Sequence, residues 1–150
     1  MALTVKRITL WRREVDNQPG VLASTLEPLA DAGADLQLVM GYRFPEAHER
    51  AAIEVFPVTG KKVSAAAEAA GLRAFELACL LVEGDNRPGL GAAIGRAVAD
   101  AGVNVVFLVA QVFGRRFTAA MGFADDAAAA AATKAIKAAG AKPAAKRGRR

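Results

Sequence analysis

Apolar and polar positions along the chain follow one order of short runs, and the order is used twice. Residues 3–14 set Leu3, Val5, Ile8 and Leu10 among Thr, Lys and Arg, an imperfect alternation that predicts a long strand. Val21, Leu22, Leu26, Leu29 and Ala30 then recur at helical spacing. Pro19 suits the first turn of that helix, because its missing N–H needs no partner there, and Gly33 supplies the stop. Alternation of Leu36, Leu38 and Met40 predicts a strand from Asp35 to Met40. A charged loop from Gly41 to Arg50, a strand over Ala52–Val58 and an alanine-rich helix over Lys61–Ala70, stopped by Gly71, follow. The second half repeats this: a strand over 72–83, a helix over Pro88–Ala101 ended by Gly102, and strands over 104–110 and 117–123 around Gly114-Arg115-Arg116. A last helix, capped by Asp125 or Asp126, runs to about Gly140.

The repetition extends to residue identity. Asp16-Asn17-Gln18-Pro19-Gly20 is matched 69 positions later by Asp85-Asn86-Arg87-Pro88-Gly89, and Ala30 to Gly33 by Ala99 to Gly102. The chain is a tandem repeat. Each unit reads strand, helix, strand, strand, helix, one strand short of the βαββαβ order of a ferredoxin-like domain. Only one apolar run separates Gly71 from Asp85, and only a basic tail follows Gly140. Each long run is therefore expected to serve two sheets. Residues 3–7 complete the second sheet while 8–15 begin the first; residues 72–76 complete the first while 77–83 begin the second. The expected class is α+β: two ferredoxin-like units with antiparallel sheets and helices on one face, sharing the long strands 3–15 and 72–83. The expected domains are 1–71 and 72–140, with 141–150 a disordered tail.

Composition narrows the function classes. Lys142, Lys146, Arg147, Arg149 and Arg150 account for the whole net charge of +5, so the body of the chain is neutral and no basic face for nucleic acid is expected. One cysteine, Cys79, excludes an intrachain disulfide and fits a reducing compartment. No uncharged apolar run is long enough for a membrane span, and the expectation is a soluble, cytoplasmic protein. With a single histidine, His48, and two serines, Ser24 and Ser64, neither a catalytic triad nor a metal cluster is supplied. The chain is expected to be no enzyme and to need no cofactor. Gly89-Leu90-Gly91 with Gly95 lacks dinucleotide-fingerprint spacing. Gly91 and Gly95 instead share one helix face and suit close helix packing, a candidate homodimer contact.

The strand-following Asp-Asn-x-Pro-Gly-Val/Leu, with Ala-Asp-Ala-Gly further on, resembles the start of an ACT domain in both halves. The resemblance is strong over strand, turn, helix and strand and weak in the second helices. It implies a ferredoxin-like regulatory module that pairs with another and binds an amino acid or similar metabolite at the interface of two units, so that a partner enzyme or regulator senses it. The turn residues Asp16, Asn17, Gln18, Pro19 and Gly20, with Asp85, Asn86, Arg87, Pro88 and Gly89, then form the ligand loops. Asp35 and Asn104, at the start of the next strands, complete the set, Asp35 suiting an ammonium group. Serine-binding members place a histidine two residues before the turn asparagine; Val15 and Gly84 stand there, which speaks against serine. The residues alone leave another reading open, in which Asn17 and Asn86 cap helices and Asp35 and Asn104 merely open strands. The alternative function is a structural or protein-interaction module without a small ligand, its basic tail contacting an acidic partner.

Overall fold

The computed structural model describes residues 3–141. In chain order the first half holds β1 (Thr4–Ile8), β2 (Trp11–Asp16), α1 (Val21–Asp31), β3 (Leu38–Phe44), β4 (Ala47–Phe56), α2 (Lys61–Ala69) and β5 (Arg73–Ala74). The second half holds β6 (Ala78–Asp85), α3 (Leu90–Asp100), β7 (Phe107–Phe113), β8 (Arg116–Phe123) and α4 (Asp126–Ala141). Two compact units result: a central unit, Thr9–Glu76, and a split unit made of the segment ending at Ile8 and the segment beginning at Leu77. Their antiparallel sheets run β3-β4-β2-β5 and β1-β6-β8-β7. Both orders are ferredoxin-like, with the strand that opens the unit next to the one that completes it. The shared runs are as expected: β1 pairs with β6 and β5 with β2. Each run is broken rather than continuous, β1 ending at Ile8 before β2 begins at Trp11, and β5 at Ala74 before β6 begins at Ala78. Separate segments let each half follow its own sheet.

One face of each sheet carries the helices. In the central unit Val15, Ala51, Ile53 and Val55 alternate along β2 and β4 and meet Leu29 of α1, Ala67 of α2 and Leu72. In the split unit Val5, Leu80, Val82, Ala119 and Met121 meet Leu90, Ile94 and Val98 of α3 and Ala129, Ala132 and Ile136 of α4. Leu90, Ile94 and Val98 recur every fourth residue, and each side chain contributes roughly 1.5–3 kcal/mol on burial. Glycine stops act as expected. Gly33, Gly71 and Gly102 donate their N–H to Ala30, Glu68 and Ala99, and the next residue's N–H reaches Leu29, Ala67 and Val98, the paired bonds of a Schellman end. Asp125 is the cap of α4, its Oδ1 accepting the Ala128 N–H at 2.8 Å.

Several expectations are corrected. The charged stretch 41–50 is a hairpin: β3 runs on to Phe44 and β4 starts at Ala47. Pairing goes through the backbone, so charged side chains facing solvent did not prevent it. The helices start at Val21 and Leu90, after the Pro-Gly pair, and neither start has a side-chain cap, so Asn17 and Asn86 are not helix caps. In α1 the buried face is Thr25 and Leu29; Leu22, at 49% exposure, and Ala30 lie outside it. Asp35 and Asn104 sit in loops three residues before β3 and β7, tied down at Gln37 and Val106 by N–H bonds to Phe56 and Gly122. The basic tail beyond Ala141 lies outside the described residues.

Candidate functional site

In the central unit the motif is a tight turn between β2 and α1. The Val21 N–H returns to the Gln18 carbonyl at 3.4 Å, with Pro19 second and Gly20 third at φ 92, ψ −12. These are the dihedrals of a type II turn, where only glycine sits without strain at the third position. The second copy repeats it: the Leu90 N–H reaches Arg87 at 3.2 Å, and Gly89 has φ 83, ψ 1. The rest of the motif fastens the turn to the sheet. Asp16 is ion-paired with Arg50 at 2.7 Å and Asp85 with Arg116 at 3.7 Å, each pair directly opposed across its ladder. The N–H groups of Asn17 and Asn86 donate to Glu49 and Arg115, both at 2.8 Å, and Asn17 Nδ2 donates to the His48 carbonyl at 3.3 Å.

The turn leaves helix amides open. Ser24 N–H closes on Gly20, whereas those of Leu22 and Ala23 make no hydrogen bond to a described residue. Beside them lies a surface cleft of about 350 Å³. Asn17, Val21 and Leu22 line it from the turn and helix; Gly41, Tyr42, Arg43, Ala51, Ala52 and Ile53 line it from β3 and β4. The small residues Gly41 and Ala51 make the room. Nothing stands closer than 4.0 Å to where a Gly41 Cβ would be. Arg43 is the one charged residue in the lining, and the first turn of α1 carries no acid, so the cleft favours an anion. Of the residues singled out by sequence, the structure brings Asn17 to this cleft, with Gln18, Pro19 and Gly20 shaping its turn. Asp35 and Asn104 are exposed loop residues, and Asp35 is not in the lining. Arg43 and Gly41 were hidden in the stretch read as a loop. The signal for them was the repeat, which sets 41–44 opposite the strand residues 110–113.

The second copy fills the equivalent place. By the 69-residue offset and the ladders, Ala110 replaces Gly41, Val112 replaces Arg43, and Phe117 replaces Ala51. Phe117 is 6% exposed and belongs to the core. A ring and an isopropyl group thus stand where the first copy has a methyl and a guanidinium.

On the face of the central sheet opposite the helices is a second polar group. Arg12 lies with its guanidinium carbon 4.6 Å from the Phe75 ring centre and 5.6 Å from that of Phe44. It pairs with Glu14 at 3.2 Å and stands 4.0 Å from Glu54, which is 1% exposed. No hydrogen bond of good geometry reaches either Glu54 oxygen, although the Tyr42 hydroxyl is a polar neighbour. Burial pushes the Glu54 carboxyl above its ordinary range, against the pull of Arg12 and Tyr42. Burial and then the Glu54 charge likewise raise Tyr42. Among the described residues no cluster of His, Cys, Asp and Glu is arranged to hold a metal, and no helix is long and apolar enough to cross a membrane.

Neither a protein-family model nor a curated protein sequence matches the chain. Its fold does have solved counterparts. It is similar to the ligand-free regulatory subunit of aspartate kinase from Thermus thermophilus, at TM-score 0.62 and 18% identity, over 93% of this chain and 97% of that one. It is similar to a Bacteroides thetaiotaomicron protein at TM-score 0.70 and 13% identity, over 87% and 88%. The regulatory subunit of aspartate kinase from Thermus flavus matches at TM-score 0.56 and 18% identity, over 93% and 97%. At such identities the likeness establishes the fold alone, a pair of ferredoxin-like units.

Proposed function

We propose that the protein is a non-catalytic regulatory protein whose central unit binds a small carboxylate, an amino acid, in the cleft at the start of α1. The observation that carries this reading is that Asn17, Leu22 and Arg43 line one concavity at the start of α1, where the Leu22 amide is left open. A ligand carboxylate takes this amide and the guanidinium, and its side chain lies over Val21 and Ile53. Binding there favours one packing of the molecule over others, which a partner enzyme or regulator reads. The aspartate kinase regulatory subunits among the structural counterparts support such a partner.

A thermal-shift panel of the amino acids tests this. At least one is expected to raise Tm, by the equivalent of about 2.7 kcal/mol at a hundred times its Kd. Arg43→Ala and Ala51→Phe should remove the shift, and Asn86→Ala should keep it. Absence of any shift at millimolar ligand would overturn the reading.

A further inference from the structure

The hairpin of β7 and β8 turns beside the second copy of the repeated motif. The Asn86 N–H donates to the Arg115 carbonyl at 2.8 Å, and Asp85 stands opposite Arg116 in the ladder. Three arginines therefore meet at one tip, Arg115 and Arg116 from the hairpin and Arg87 from the turn. Arg116 has Asp85 as a partner, at 3.7 Å. The side chains of Arg87 and Arg115 make no hydrogen bond or ion pair with a described residue. At the same tip Phe113 is 86% exposed. It is the ladder partner of Arg116, so ring and guanidinium lie on one face of the sheet, the face opposite the core residue Phe117 and the helices.

The matching tip of the central unit is built otherwise. Glu49 accepts the Asn17 N–H where Arg115 accepts that of Asn86, and Gln18 stands in place of Arg87. Phe44 takes the place of Phe113 and is packed, its ring centre 5.6 Å from the Arg12 guanidinium and 6.0 Å from that of Tyr42. By the repeat offset Leu81 and Gln111 stand where Arg12 and Tyr42 do, so neither contact is open to Phe113. Each of these differences adds positive charge to the second tip, removes negative charge from it or bares its ring. On a neutral body, such a tip is a local positive field around an apolar anchor.

We propose that this tip docks an acidic peptide segment of a partner protein. One large apolar side chain of the peptide packs against Phe113, and carboxylates on either side of it take Arg87, Arg115 and Arg116. Guanidinium and carboxylate match as bidentate pairs, and aromatic and arginine side chains concentrate binding energy at interfaces. A nucleic-acid strand fits less well. Its phosphates repeat at even spacing, whereas the positive charge stops at the tip: the next row on the same face holds Gln111, Thr118 and Glu83. The proposal does not depend on ligand binding in the central unit, whose cleft uses none of these residues.

Selection of random short peptides, displayed on phage, against the immobilised full chain tests this. The expected result is enrichment of peptides with several Asp or Glu residues around one aromatic or aliphatic residue. Synthesised and titrated, they should bind the wild type less tightly as salt is raised. Arg87→Gln combined with Arg115→Glu, which restores the residues of the first copy, should weaken binding by about tenfold or more. Phe113→Ala should weaken it comparably while keeping the salt dependence. Phe113 and Arg115 are exposed and Arg87 is half-buried, so circular dichroism and Tm should stay native. A chain with Lys142, Lys146, Arg147, Arg149 and Arg150 all replaced by Ala should bind as the wild type does. Enriched peptides without an acidic excess, equal binding to the substituted tip, or loss of binding with the tail substitutions would each overturn the proposal. So would an oligothymidylate that binds this tip more tightly than the peptides.

Discussion

At the scale of single residues, Glu54 is the most exacting case. A carboxylate that is 1% exposed, 4.0 Å from its cation and without a well-made hydrogen bond is costlier to ionise in the fold than in the open chain. Its folded pKa lies above the ordinary 4.5, so between these two values the folded state holds more protons than the unfolded one. Glu54 thus favours folding most at low pH, and that contribution is lost as pH rises from 4.5 through the raised folded value. Glu54→Gln has no such titration. Urea unfolding of both proteins across this range should show the stability of the wild type falling relative to Glu54→Gln as pH rises. A difference that stays flat with pH would remove the burial argument.

At the scale of elements, β8 shows how one position sets the fit of a hairpin. A methyl at Gly122 would run into the Phe107 ring and come within 2.7 Å of Leu77 Cδ2. Gly122→Ala should cost about 1–3 kcal/mol by overpacking, and much less in a Phe107→Ala background, a coupling that a double-mutant cycle in urea measures. Additive costs would mean the ring is not what excludes the methyl. Elements were legible in the sequence wherever a backbone signal accompanied the periodicity. Gly33, Gly71 and Gly102 marked three helix ends because Schellman closure favours glycine, and Asp125 marked the start of α4. The hairpin of β3 and β4 was not legible, because an edge strand is held by backbone bonds and need not alternate. Arg43, which charges the cleft, was concealed by the same cause. Asn17 was legible because its motif recurs, but its bond to His48 and the packing of Phe117 into the second copy depend on register, which the pattern of one strand does not contain.

At the scale of the molecule, the tandem repeat and the folded units do not coincide. The central unit, from β2 to β5, is an uninterrupted βαββαβ segment, whereas the split unit takes its completing strand from the other end of the chain. That strand is integral. Leu3, Val5 and Ile8 are buried, β1 pairs with β6 from Thr4↔Glu83 to Ile8↔Cys79, and Arg7 bonds Asp126 at the start of α4. The place for a new connection is also set, because a methyl at Gly140, near the end of α4, would stand 2.8 Å from Leu3 Cγ. A linker of roughly 4–6 residues, ordinary for such connections, should therefore join Ala141 to Leu3. A protein running 77–141, linker, 3–8 restores the βαββαβ order in one segment. It should melt cooperatively and well above 77–141 alone, which exposes the apolar edge of β6 and lacks three core side chains. Amide exchange gives the sharper readout: β6 should be protected in the permuted protein and open in the shorter one. Equal protection in the two would mean that β1 is an accessory strand, and that the split unit is complete without the start of the chain.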